Sequence, residues 1–159
     1  MTEIVTCLEE IFKAETGAGK LLDGVQVYPG LEDNPSLAKE ALVIARPVER
    51  FTGQSWPVMH VTASVPVSVW VQVSKNGTAT RRTKEARAAA LAHAVRKIIG
   101  QNRTLVSTTY AQGFVEHAQK VRVNRLEPIR NSFKASFFTG VGIVFDIDYV
   151  YRGDQVARI

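Results

Sequence analysis

Asp146 and Asp148 stand two apart in the run Val141 to Tyr151, a spacing that on a strand sends both carboxylates to one face. Such a pair can seat a divalent cation or divide acid and base roles, provided further oxygen or imidazole ligands converge on it. No third ligand shows itself nearby, so the expectation is two acids on the solvent face of a half-buried strand. Gly17-Ala18-Gly19-Lys20 has the look of the end of a phosphate loop. That motif needs a glycine five residues before the terminal Gly-Lys, a hydroxyl after the lysine and a preceding strand. Here Ala14, Leu21 and a helical stretch occupy those places, and the segment reads as a helix-exit loop. His60, His93 and His117 occur singly, without zinc-site spacing or a Gly-x-Ser-x-Gly elbow. Cys7, in an apolar-leaning helical segment, suits a small buried hydrophobe better than a nucleophile. No catalytic, metal-binding or cofactor-binding residue is assigned, and neither an enzymatic activity nor a cofactor is expected.

The remaining chemistry is charge and exposed aromatic surface. Arg81, Arg82, Lys84, Arg87, Arg96 and Lys97 fill the outer face of one helical stretch, and Lys120, Arg122, Arg125 and Arg130 cluster further on. A formal charge of +5, from 20 basic and 15 acidic residues, is a mild excess. The basic groups read first as solvated surface, then as a protein interface and last as a DNA contact. Phe51 and Trp56, set among polar residues of the loop-like stretch Arg46 to Pro57, either anchor a partner or fold back on their own core. Trp70, on the polar side of its strand, is a further interface candidate, since a large apolar group there prefers a partner's surface to water.

These residues need elements to hold them. The chain has 159 residues, 45% of them hydrophobic, enough for one self-sufficient core. A single cysteine excludes an intrachain disulfide, no leader pattern is evident, and no run approaches a membrane span, so a soluble protein in a reducing cytoplasm is expected. Ile4, Leu8, Ile11 and Phe12 recur at helical spacing, predicting a helix from Thr2 to about Glu15 with Thr2 as cap. Val25 to Tyr28 and Ala41 to Arg46 read as short strands on either side of a Pro29 to Pro35 loop. Val58 to Val73 alternates strictly, with valines at 65, 67, 69, 71 and 73 on one face, and Asn76-Gly77 ends it in a turn. Pro66 requires this strand to start there, bulge there or lie at an edge. Thr78 to Ile99 predicts the strongest helix, with Ala86, Ala90, Leu91, Ala94, Val95, Ile98 and Ile99 as its apolar stripe and Gly100 as its stop. Strand patterns return near Phe114 to Glu116, Val121 to Leu126 and Phe133 to Tyr151. Residues 1–159 thus form a single α+β domain: a mostly antiparallel sheet with two main helices on one face.

This layout resembles the tail terminator and related neck proteins of long-tailed bacteriophages. The likeness rests on an N-terminal helix, short strands, a valine-rich strand, a helix running into Ile98-Ile99-Gly100-Gln101-Asn102-Arg103-Thr104-Leu105, and a long final strand ending Asp148-Tyr149-Val150-Tyr151. The resemblance implies a ring subunit, usually of a hexamer, that caps the head-proximal end of the tail tube, stops its growth and docks the neck. It implies a virion location after assembly in the host bacterial cytoplasm. The implied partners are other copies of the chain, the tail tube protein, a neck or head-completion protein and, in a contractile tail, the sheath protein. DNA would only pass through the lumen, and no membrane is involved. A tail-completion, head-closure or baseplate-associated protein shares the layout, and a nucleic-acid-binding module is the reading from another class.

Overall fold

The alternating valines of residues 58–73 form a sixteen-residue strand, β4 (Val58–Val73), around which the sheet is built. The computed structural model describes residues 2–30, 38–55, 58–73, 78–103, 105, 121–133 and 136–152. The other described elements are α1 (Thr2–Lys13), β1 (Gln26–Tyr28), β2 (Glu40–Ile44), β3 (Val48–Ser55), α2 (Thr78–Gln101), β5 (Val121–Phe133) and β6 (Ser136–Arg152). Their order across the sheet is β1-β2-β4-β6-β5, with β3 also paired to β4. Among the described strands the β1–β2 pair is parallel and the others are antiparallel. The fold is therefore α+β with a mostly antiparallel sheet. No described helix is long and apolar enough to cross a membrane.

One sheet face carries the main core. Ala63, Val65, Val67, Val69 and Val71 of β4 lie beside Ile143, Phe145 and Ile147 of β6. Against them are buried Ile4, Leu8 and Phe12 of α1 and Leu91, Val95 and Ile98 of α2, so both helices cover the same face. Each such large side chain contributes on the order of 1.5–3 kcal/mol when fully buried. Cys7 is fully buried in this core.

The opposite face is not merely polar. At one end Trp70, Ala41, Val43 and Phe138 form a second small core, flanked by Tyr28 and Ile129. Trp70 is 7% exposed and its indole Nε1–H donates to Ser68 Oγ at 2.9 Å. The expected exposed anchor is thus an internal packing group. It lies opposite Gly140 in the ladder, where an added Cβ would stand 2.1 Å from the Val69 carbonyl oxygen and 3.2 Å from the indole. The ring fills the space that a side chain at 140 would need.

Three further expectations are corrected. Within the stretch expected as a loop from Arg46 to Pro57, residues 48–55 form β3, a hairpin arm on β4 with a bulge between Phe51 and Gly53. Val48 and Phe51 are 61% and 65% exposed, so the arm shows no apolar-in, polar-out alternation from which to read a strand. In α2, Ala86 and Ala90 are exposed whereas Ala88 and Ala92 are buried. Leu91, Val95 and Ile98 set the phase of the helix, and the small alanines follow. Gly100 lies inside α2 rather than ending it. Asn102 closes the helix instead, its side-chain Nδ2–H donating to the Ile98 carbonyl at 2.8 Å, and Leu105 then turns at φ 54° with its side chain fully buried.

Pro66 sits mid-strand, in a place none of its three expected readings anticipated. On one side β6 pairs β4 along its whole length; on the other, β3 pairs residues 58–64 and β2 pairs residues 67–71. Pro66 occupies the gap between those two strands, where its carbonyl accepts from Ala45 N–H at 2.8 Å. A strand residue directs its N–H and C=O to the same side, so the missing donor faces the gap and costs the β4–β6 ladder nothing.

Candidate interaction surface

Two polar arrangements stand on this scaffold. The first crosses three strands on the face away from the helices. Register places Ser64 and Arg122 on either side of Asp146, and Thr62 beside Asp148. Ser64 Oγ donates to Asp146 at 2.7 Å, Thr62 Oγ1 to Asp148 at 2.6 Å, and Asn124 Nδ2 to Asp146 at 3.0 Å. Arg122 bonds Asp148 and lies 3.9 Å from Asp146. Asn124 reaches inward because β5 bulges between Val123 and Arg125. Asp146 is only 6% exposed, not on a solvent face as expected. The hydrogen bond to Asp148 raises the Arg122 pKa, with the Asp148 and Asp146 charges adding to it against partial desolvation. Every carboxylate of this ladder already has donors, so it is a cross-strand clasp rather than a vacant site. No group of three or more His, Cys, Asp or Glu among the described residues gathers as a metal would require.

The second arrangement is a groove of about 500 Å³ between the C-terminal half of α2 and β5. His93, Arg96, Lys97 and Arg103 stand on its helical wall, with Val121 and Val123 along β5. No acidic side chain among the described residues lines it. Elsewhere on these two elements, arginines find carboxylates: Arg87 with Glu40 at 2.7 Å, Arg130 with Glu85 at 2.9 Å, Arg81 with Glu85 at 3.7 Å and Arg125 with Glu127 at 3.8 Å. The Glu40 hydrogen bond raises the Arg87 pKa. Arg96, Lys97 and Arg103 have no such partner among the described residues.

The sheet edges complete the surface. Among the described residues β5 pairs with β6 alone, and β3 with β4 alone on the side away from β6, so they border the described sheet at opposite edges. Val123 and Leu126 of β5 are 42% and 49% exposed. By register they point to the helix side, as does Phe51 of β3. Arg122, Arg125 and Arg130, with Pro128 and the bulge, guard β5 against indiscriminate strand pairing.

Of the interface residues expected from sequence, Phe51 lies exposed at the β3 edge, Arg81 and Arg82 are exposed on α2, and Arg122 and Arg125 are exposed on β5. Trp70 is withdrawn by its burial. Trp56, His117, Lys120, the Asn76-Gly77 turn and the Phe114 to Glu116 strand fall outside the described residues. Sequence reasoning missed the groove, and one signal for it was present. Residues 1–50 carry nine acidic and five basic side chains, whereas residues 51–159 carry six and fifteen. No protein-family model matches the sequence, and no curated protein matches it.

Proposed function

We propose that this chain is a structural subunit that closes into a ring, as the tail terminator and neck proteins of long-tailed phages do, and that it carries out no catalysis. In this reading the ring, a hexamer, sits at the head-proximal end of the tail, stops tube growth and presents a docking face to the neck. Its partners are its own copies, the tube protein, the neck protein and, in a contractile tail, the sheath. The observation that carries the proposal is the pair of unlike sheet edges that the described residues leave unpaired. β3 exposes Val48 and Phe51 at one border, and β5 exposes Val123 and Leu126 at the other. A subunit with two different adhesive borders makes heterologous contacts, and these close into rings when the rotation permits.

Native mass by light scattering, with negative-stain images taken with and without purified tail tubes, tests this. A six-membered ring, or tube ends that are capped and stop lengthening, is the expected outcome. A monomer that ignores tubes and binds duplex DNA with a steep salt dependence overturns it. That second result belongs to a nucleic-acid-binding module, the reading favoured by Arg96, Lys97 and Arg103 standing together without carboxylates.

A further inference from the structure

We infer that the basic groove between α2 and β5 receives the acidic border of a second copy of this chain, making subunit contact a head-to-tail electrostatic fit. The inference rests on the ring reading and names the surfaces that build the ring. Its first support is the division of charge, a net of −4 over residues 1–50 against +9 over residues 51–159. Its second is where the fold puts the two halves. The acidic half builds α1, β1, β2 and the first residues of β3, and α1 packs on β1 and β2, so the segment that carries Glu9, Glu10, Glu15 and Asp23 lies on the side of the sheet away from β5. The basic half supplies β5 at the other border and α2 over β4 and β6, the C-terminal half of α2 reaching the groove beside β5. Opposite charge is thus separated across the width of the sheet, and copies set side by side bring unlike borders together.

The apolar residues agree with that placement. Phe51 at one border and Val123 and Leu126 at the other all point to the helix side of the sheet. Neighbouring copies with the same face up therefore bring Phe51 toward Val123 and Leu126, and the α1 layer of one copy toward the α2 layer of the next. Arg96, Lys97 and Arg103 repel one another when no anion is near, and a neighbour's carboxylates relieve that repulsion. Single-stranded nucleic acid suits the groove less well, because among the described lining residues Phe145 is buried and only the His93 imidazole is exposed for a base to stack on.

The test uses two charge reversals on the full chain, Arg96→Glu with Lys97→Glu, and Glu10→Lys with Glu15→Lys. Native mass and melting temperature are measured at low and high salt. Each double variant should lose association by about tenfold or more, and wild-type association should weaken as salt rises. An equimolar mixture of the two variants should reassociate, because one keeps the acidic border and the other the basic groove; a misfolded variant could not be rescued this way. A wild-type oligomer whose mass neither variant changes overturns this inference and leaves the ring reading standing. A wild-type chain that stays monomeric removes both. Unchanged mass with a lowered melting temperature in the groove variant assigns the groove to a contact within the same chain. Unchanged mass with lost binding to a short DNA duplex assigns it to a polyanion. Either of these last results also overturns the inference.

Discussion

Trp70 and Gly140 face each other across β4 and β6, and each explains the other. A tryptophan on the face away from the helices stays out of water because its partner has no side chain and its indole finds Ser68. Gly140→Ala would drive a Cβ into the Val69 carbonyl and should cost about 2 kcal/mol or more. Gly142→Ala meets only ordinary contacts, the nearest at 3.6 Å, and should change stability by less than about 1 kcal/mol. Urea unfolding of the two variants checks the contrast. Asp146 and Asp148 differ in the same way. Asp146→Ala removes the buried acceptor that Ser64 and Asn124 share and should cost about 1–2 kcal/mol. Asp148, with its side chain 29% exposed, should cost less than about 1 kcal/mol as Asp148→Ala. The raised pKa of Arg122 also has a definite sign. Its contribution is complete below the ordinary arginine value and is lost only as pH climbs through the raised one. The stability difference between wild type and Arg122→Gln should therefore be the same at about pH 7 and about pH 9 in matched urea titrations.

Elements were legible where one face meets a core and the other meets water. The valines of β4, the Ile143, Phe145 and Ile147 series of β6 and the Ile4, Leu8 and Phe12 series of α1 each bury one side, and their periods survive in the sequence. β3 has no such record. Its residues Val48 to Phe51 are exposed or half-exposed on both faces, and hydrogen bonds to β4 rather than burial hold them extended. The alanines of α2 left the phase ambiguous for a related reason, since a methyl group signals neither surface strongly. The candidate groove was beyond periodicity altogether, because it depends on which helix end lies beside which strand. Its basic composition was readable and its location was not. At this scale β3 offers a clean test. Phe51→Ser removes a mostly exposed ring, so melting should barely change while native mass falls, as measured by light scattering on the folded variant.

The described residues form an asymmetric slab: helices on one side, a clasp and a small tryptophan core on the other, and unlike borders left and right. That asymmetry lets identical copies meet without meeting the same patch twice. Running through the slab is the β4–β6 ladder, in register from Val58 opposite Arg152 to Val73 opposite Phe137. Its hydrogen bonds lie across the strands. A pull along the strand axis loads them together in shear, whereas a pull across the strands opens them one after another. Force applied along this spine would meet the full length of the ladder at once, while force on the short β1–β2 pair would peel only three residue pairs. The protein is therefore stiff along one axis and soft at one border, a mechanical grain fixed by the unequal lengths of its strands.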